Sequence, residues 1–227
     1  MLKIPAKPLK DAFKVISRLL TDTEKGGLSR CLRLSIKENN LTIELNKVTS
    51  YLQTRIPIEY TGKDITLIVS YESINDIIGY IDEYLTIEIV DVDNIYLHIL
   101  TGKIPVKLYN YTQVGFDRVT TTFTNLNFKE LELTTVTKDF YTNMSLALNT
   151  SLKSKKINVK ENKAYTNLGY ALLSMNTELP NMVINNIELS ILALMDNISY
   201  SENKEFYIFS FQNTILAFIK TNSKELD

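Results

Sequence analysis

The sequence is short of the residues on which most enzyme chemistry depends. One cysteine, Cys31, occurs in 227 residues, so no disulfide can close within the chain and a reducing compartment is expected. Arg30 and Arg33 flank Cys31 and would favour a thiolate, yet no neighbouring histidine completes a nucleophilic pair. The one histidine, His98, falls in the alternating run Tyr96–Leu100 and reads as a strand residue rather than a general base. Seven glycines supply neither a G-x-x-x-x-G-K-S/T phosphate loop nor a G-x-S-x-G elbow. Asp91, Asp93 and Asn94 lack the glycine and distal glutamate of a calcium loop, so a hairpin turn is the better reading. An enzyme on a β-rich scaffold is therefore not expected, and neither is a cofactor or metal.

Charge of one sign is also missing. The formal net charge is −1, with 25 basic against 26 acidic residues, which excludes a global basic field for nucleic acid. Any such contact must come from local clustering. No apolar run approaches the ~20 residues of a membrane helix, and the N-terminus lacks a secretory hydrophobic core. A cytoplasmic protein without a membrane partner is expected. With 44% hydrophobic residues the chain can bury one large core or two smaller ones.

The strongest local pattern lies between Ala6 and Leu20. Lys7, Lys10, Lys14 and Arg18 recur at spacings of three and four and fall within about 80° of one another on a helical wheel. Leu9, Ala12, Phe13, Ile16, Leu19 and Leu20 take the opposite side. Such a helix can pack on a sheet while offering four cations to a phosphate backbone. Elsewhere strands dominate. Leu32–Lys37, Asn40–Asn46 and Ser50–Ile58 alternate or run β-branched, with a turn at Glu38–Asn40. Leu67–Ser70 leads into a helix over Tyr71–Ile81, with Ser70 as the plausible N-cap. Leu85–Val90, Ile95–Leu100 and Ile104–Tyr109 read as an antiparallel meander. The polar stretch Asn110–Asn127 is the best linker.

The second half repeats the first. At an offset of 115, Leu67-Ile68-Val69 falls on Met182-Val183-Ile184, Ile74 on Leu189 and Ile77 on Leu192. Asn185 or Asn186 could cap the helix that follows. Ile157–Glu161, Ala164–Gly169 and Tyr170–Glu178 echo the earlier strand trio, and Phe206–Phe211 and Thr214–Thr221 flank a Gln212-Asn213 turn. A repeat this long marks duplicated domains and not a solenoid. The expected fold class is α+β, with domains at 1–117 and 118–227, each built of antiparallel sheets and two helices.

Two tandem β-rich repeats with two helices each, in a chain of this length, resemble a DNA polymerase sliding clamp. Asn40–Asn46 (NLTIELN) resembles the family's "gL.ltatD" strand and turn. Leu67–Ile78 resembles its strand and second helix, and Val114-Gly115-Phe116-Asp117 the "dFP" element that ends the first domain of bacterial clamps. The resemblance covers essentially the whole chain and rests on order and spacing. It implies a non-enzymatic processivity factor that encircles duplex DNA and tethers DNA polymerase, with a clamp loader as a further partner. Bacterial clamps carry three such domains per chain. Two-domain chains, as in phages and eukaryotes, close as homotrimers, and a phage-encoded clamp would work in the bacterial host cytoplasm. Helices would line the bore, so Lys7, Lys10, Lys14 and Arg18 would face the phosphates, with Lys129 and Lys138 as further members. Partner peptides would meet Tyr109, Tyr111, Val114 and Phe116 on the linker and Leu226 at the tail.

Three of the four expected helices depart from the family's basic bore. Tyr71–Ile81 carries Glu72 and Asp76 and no base, and Asn185–Met195 carries Glu188 and no base. Phe128–Leu146, which matches the first helix, sets Lys129 and Lys138 against Glu130, Glu132 and Asp139, around a Thr-rich centre that forms helix poorly. The run Lys153, Lys155, Lys156 reads as a solvated turn. These departures favour an alternative, a clamp-fold adaptor or transcription factor that docks on polymerase without encircling DNA.

Overall fold

The computed structural model describes residues 1–20, 30–47, 49–90, 95–99, 102–105, 134–135, 156–161, 163–167, 172–176, 181–192, 194–195 and 197–220. The chain divides into two compact units, Met1–Leu126 and Asn127–Asp227.

In the first unit, β1 (Leu2–Pro5) runs directly into α1 (Ala6–Leu19). Then come β2 (Cys31–Lys37), β3 (Asn40–Asn46), β4 (Ser50–Pro57) and β5 (Ile65–Ser70). They pair antiparallel in the order β5-β2-β3-β4. The register places Leu32, Leu34 and Ile36 beside Leu41, Ile43 and Leu45 on one face, where all six are buried. Burying each such side chain stabilises the fold by about 1.5–3 kcal/mol relative to leaving it exposed. The β2–β3 link is a two-residue hairpin at Glu38 and Asn39, both at positive φ (50° and 57°), the geometry whose twist matches the flanking strands. After β5, Ser70 caps α2 (Tyr71–Ile78): its hydroxyl accepts from the Glu72 N–H at 3.2 Å. A second sheet then closes, with β6 (Tyr84–Ile89), β7 (Ile95–Ile99) and β8 (Gly102–Pro105) in the order β1-β6-β7-β8.

In α1, Leu9, Ala12, Phe13, Val15, Ile16 and Leu19 are buried, and the helix lies against β1 and β4 and beside α2. No side chain caps its start. Instead the Ala6 N–H donates to the Glu83 carbonyl at 2.8 Å, and Pro8 sits in the first turn, where its missing N–H costs nothing. At the other end Lys47 Nζ donates to the Leu19 carbonyl at 2.7 Å, a cation on the negative pole of the helix.

The second unit follows the same plan. After β9 (Thr134–Thr135), it contains β10 (Lys156–Lys160), β11 (Lys163–Asn167), β12 (Leu172–Asn176) and β13 (Met182–Asn185), paired in the order β13-β10-β11-β12. Helix α3 (Asn186–Leu192) follows, then β14 (Ser199–Glu202), β15 (Phe206–Phe211) and β16 (Thr214–Ile219). The second pairing order is β9-β14-β15-β16. Both orders match those of the first unit strand for strand, so the duplication lies in the topology as well as in the sequence.

Two expectations need correction. Phe128–Leu146 is not one helix: Thr134 and Thr135 pair with Tyr200 and Ser199, as the β-branched centre of that segment prefers. Strand β8 begins at Gly102, which pairs with Ile99, two residues before the expected start at Ile104.

The start of α3 is a reciprocal capping box. Asn185 Oδ1 accepts from the Glu188 N–H at 2.9 Å, while Glu188 Oε2 accepts from the Asn185 N–H at 3.0 Å. Burial of the Glu188 carboxyl outweighs these hydrogen bonds and pushes its pKa up to about 7. The folded state therefore holds this proton to higher pH than the unfolded chain, so stability falls as pH rises from about 4.5 to about 7 and then levels off. Glu188→Gln should remove that slope. At pH 8 the variant should be the more stable protein, by up to about 3 kcal/mol, in denaturant titrations run across pH.

Candidate nucleic-acid interface

The exposed side of α1 consists of Lys7, Pro8, Lys10, Asp11, Lys14, Ser17 and Arg18. The stripe is thus exposed as a unit, but Asp11 stands within it, one turn from both Lys7 and Lys14, and lowers its net charge from four to three. Lys10 is spoken for: its Nζ donates to the Ile81 carbonyl at 2.6 Å, in the segment that follows α2. Among the described residues, Lys7, Lys14 and Arg18 have no ion pair, and Arg18 lies in the last turn, where the helix dipole favours a cation.

Beside this stripe, α2 is less acidic than its own sequence indicates. Phe13 of α1 stacks on Tyr71 with ring centroids 5.6 Å apart and planes 15° from parallel. Arg30, just before β2, lies with its guanidinium 5.6 Å from the centre of the Tyr71 ring and pairs through Nε with Glu72. Burial opposes the charge on Glu72. The Ser70 hydroxyl, Arg30 and the helix's own N–H prevail, and its pKa lies below the ordinary glutamate value. The first turn of α2 is therefore a compensated pair, while Asp76 has no ion pair among the described residues. Sequence reading missed this because Arg30 lies 42 positions from its partner. Helix α3 presents Glu188 in its capping box and an exposed Ile187.

Lys129 and Lys138, and Tyr109, Tyr111, Val114, Phe116 and Leu226, lie outside the described residues. His98 is where its pattern put it, on β7, with Nε2 2.9 Å from the Glu88 carboxylate. Cys31 is buried at the start of β2 against Ile68. Among the described residues no group of three or more His, Cys, Asp or Glu could hold a metal, and no helix is long and apolar enough to cross a membrane.

Two units of one topology, with a cationic helix beside the sheets of the first, define a duplicated α+β scaffold. Solved structures specify it further. A DNA polymerase III beta subunit from Thermotoga maritima superposes with a TM-score of 0.73 at 10% identity, over 98% of this chain and 65% of its own. The Helicobacter pylori beta clamp bound to a DNA ligase peptide gives 0.73 at 8% identity, over 98% and 67%. The Pseudomonas aeruginosa DNA polymerase III beta subunit gives 0.70 at 10% identity, over 100% and 66%. The protein has the sliding-clamp fold. It spans about two thirds of the length of these neighbours. No family model matches the sequence, and no curated protein matches it.

Proposed function

We propose that the protein is a sliding clamp, a non-enzymatic processivity factor that closes as a homotrimeric ring around duplex DNA. It would be opened by a clamp loader and would tether DNA polymerase and other replication proteins in the cytoplasm, of the bacterial host if phage-encoded. The observation that carries this reading is the exposed cationic face of α1 on a duplicated clamp fold. Contact through phosphates alone is independent of sequence, which sliding requires. Domains at 1–117 and 118–227 would give six pseudo-equivalent domains per ring. Strands β8 and β12 stand at the ends of their sheets and offer main-chain edges to a second copy. A clamp of this fold binds a ligase peptide. In this chain Tyr109, Tyr111, Val114, Phe116 and Leu226 are the proposed peptide contacts, and Lys129 and Lys138 the further phosphate contacts.

The adaptor reading is favoured by one observation: α2 and α3 carry no base of their own. The two readings separate by light scattering over a concentration series, followed by retention on DNA. A mass three times the 26.0 kDa chain, with retention on closed circular DNA that is lost on linearisation, is expected of a clamp. A persistent monomer with no topology-dependent retention would put the adaptor first.

A further inference from the structure

We propose that Arg30 is a phosphate-binding residue on the same surface as the α1 stripe, with Glu72 and Tyr71 as its positioning residues. The inference rests on the clamp reading and adds a contact that the helical pattern could not reveal.

Three observations support it. The guanidinium is held at one edge only: Nε donates to Glu72, and among the described residues its remaining N–H donors have no partner. An arginine has five donors in a rigid fork, so four remain, in the planar geometry that receives a phosphate through two parallel hydrogen bonds. Second, the plane of the fork is fixed. Arg30 lies over Tyr71, Tyr71 donates to Asn75 Oδ1 at 2.6 Å, and the same ring stacks on Phe13 of α1. Ordering these donors in advance lowers the entropy lost on binding. Third, the position is right. The ring beneath Arg30 stacks on Phe13 of α1, and the segment beyond α2 meets Lys10 of the stripe. Arg30 is therefore tied through the Tyr71 ring to the helix that carries the stripe. The Arg30 side chain is 20% exposed, and that of its partner Glu72 44%.

The test compares salt dependence. Duplex binding is measured from 50 to 200 mM salt for the wild type, Arg30→Gln, Arg30→Lys and the triple variant Lys7→Ala/Lys14→Ala/Arg18→Ala. Arg30→Gln keeps a donor for Glu72 and removes the charge and the fork. It should flatten the slope of log K against log salt by about 0.9, which is about 3.5-fold in affinity change across that range. Arg30→Lys should restore the slope while binding more weakly than wild type, because a point charge cannot make two parallel bonds. If the triple variant loses about 2.7 in slope but Arg30→Gln loses none, Arg30 is a structural ion pair and this inference falls alone. If the triple variant also keeps the wild-type slope, the clamp reading falls with it.

Discussion

Replacing Lys7, Lys10, Lys14 and Arg18 together by alanine should leave the fold intact and flatten the salt dependence of duplex binding by about 2.7 rather than the ~3.6 of four equal contacts. The difference arises because Lys10 already donates to the Ile81 carbonyl. Its ammonium bridges α1 to the segment after α2, so its loss should register as stability, by about 1 kcal/mol, and little as phosphate binding. Between 50 and 200 mM salt, a slope difference of 2.7 means that the wild type loses about 40-fold more affinity than the variant. Folding is protected because all four side chains are exposed and alanine has the highest helix propensity. Lys10→Ala alone serves as the internal control. It should lower the unfolding midpoint while keeping most of the slope, whereas Lys14→Ala should do the reverse. An unchanged slope in the quadruple variant would make the stripe a solvated face and no more.

The second large effect concerns the first unit itself. Arg33 and Glu44 are directly opposed on β2 and β3, and the pair is bidentate: Arg33 Nε and Nη2 donate to Glu44 Oε2 and Oε1 at 2.6 and 2.8 Å. Tyr51 on β4 donates its hydroxyl to Oε1 at 2.7 Å. Burial, then the Glu44 charge, push the Tyr51 pKa far up, with Arg33 opposing, so this hydroxyl stays a donor at every physiological pH. The Glu44 side chain is only 8% exposed. Arg33→Ala leaves that carboxylate desolvated with a single phenol for company, and a loss of about 3–5 kcal/mol is expected in chemical denaturation. Replacing the whole set with apolar residues of similar volume should be far milder, because no charge is then left buried. Comparable losses in the two variants would show that the site acts through packing.

Much of this architecture could be read from the residues. The α1 stripe, the Asn40–Asn46 strand and the Ser70 cap follow from periodicity and capping chemistry, which are local. The offset of 115 carries Ser70 onto Asn185, and both are N-caps. A further repeat signal has its own offset. Lys37-Glu38-Asn39-Asn40 and Lys160-Glu161-Asn162-Lys163 occupy the same hairpin of each unit, and Glu38 and Glu161 share a positive φ. Because their offset is 123, a search at 115 passes over them. Strands β9 and β14 were hidden for another reason. Thr134-Thr135 and Ser199–Glu202 have no apolar alternation, and they are strands because β15 and its neighbours supply the hydrogen-bond partners. The interface had the same limit. Arg30 on Tyr71, and Lys10 on Ile81, are long-range contacts that no spacing rule contains.

The pairing of β1 with β6 also fixes when the first unit can be completed. Leu2, wholly buried, is opposite Ile87, and Ile4 is opposite Leu85, so β1 finds its partners more than eighty positions later in the chain. Loop closure over that distance is slow compared with forming α1 or the β2–β3 hairpin. At synthesis rates of about 5–20 residues per second, β1 waits several seconds for β6 with its apolar side uncovered. During that interval the Leu2 and Ile4 side chains, buried in the finished sheet, are apolar surface open to a chaperone.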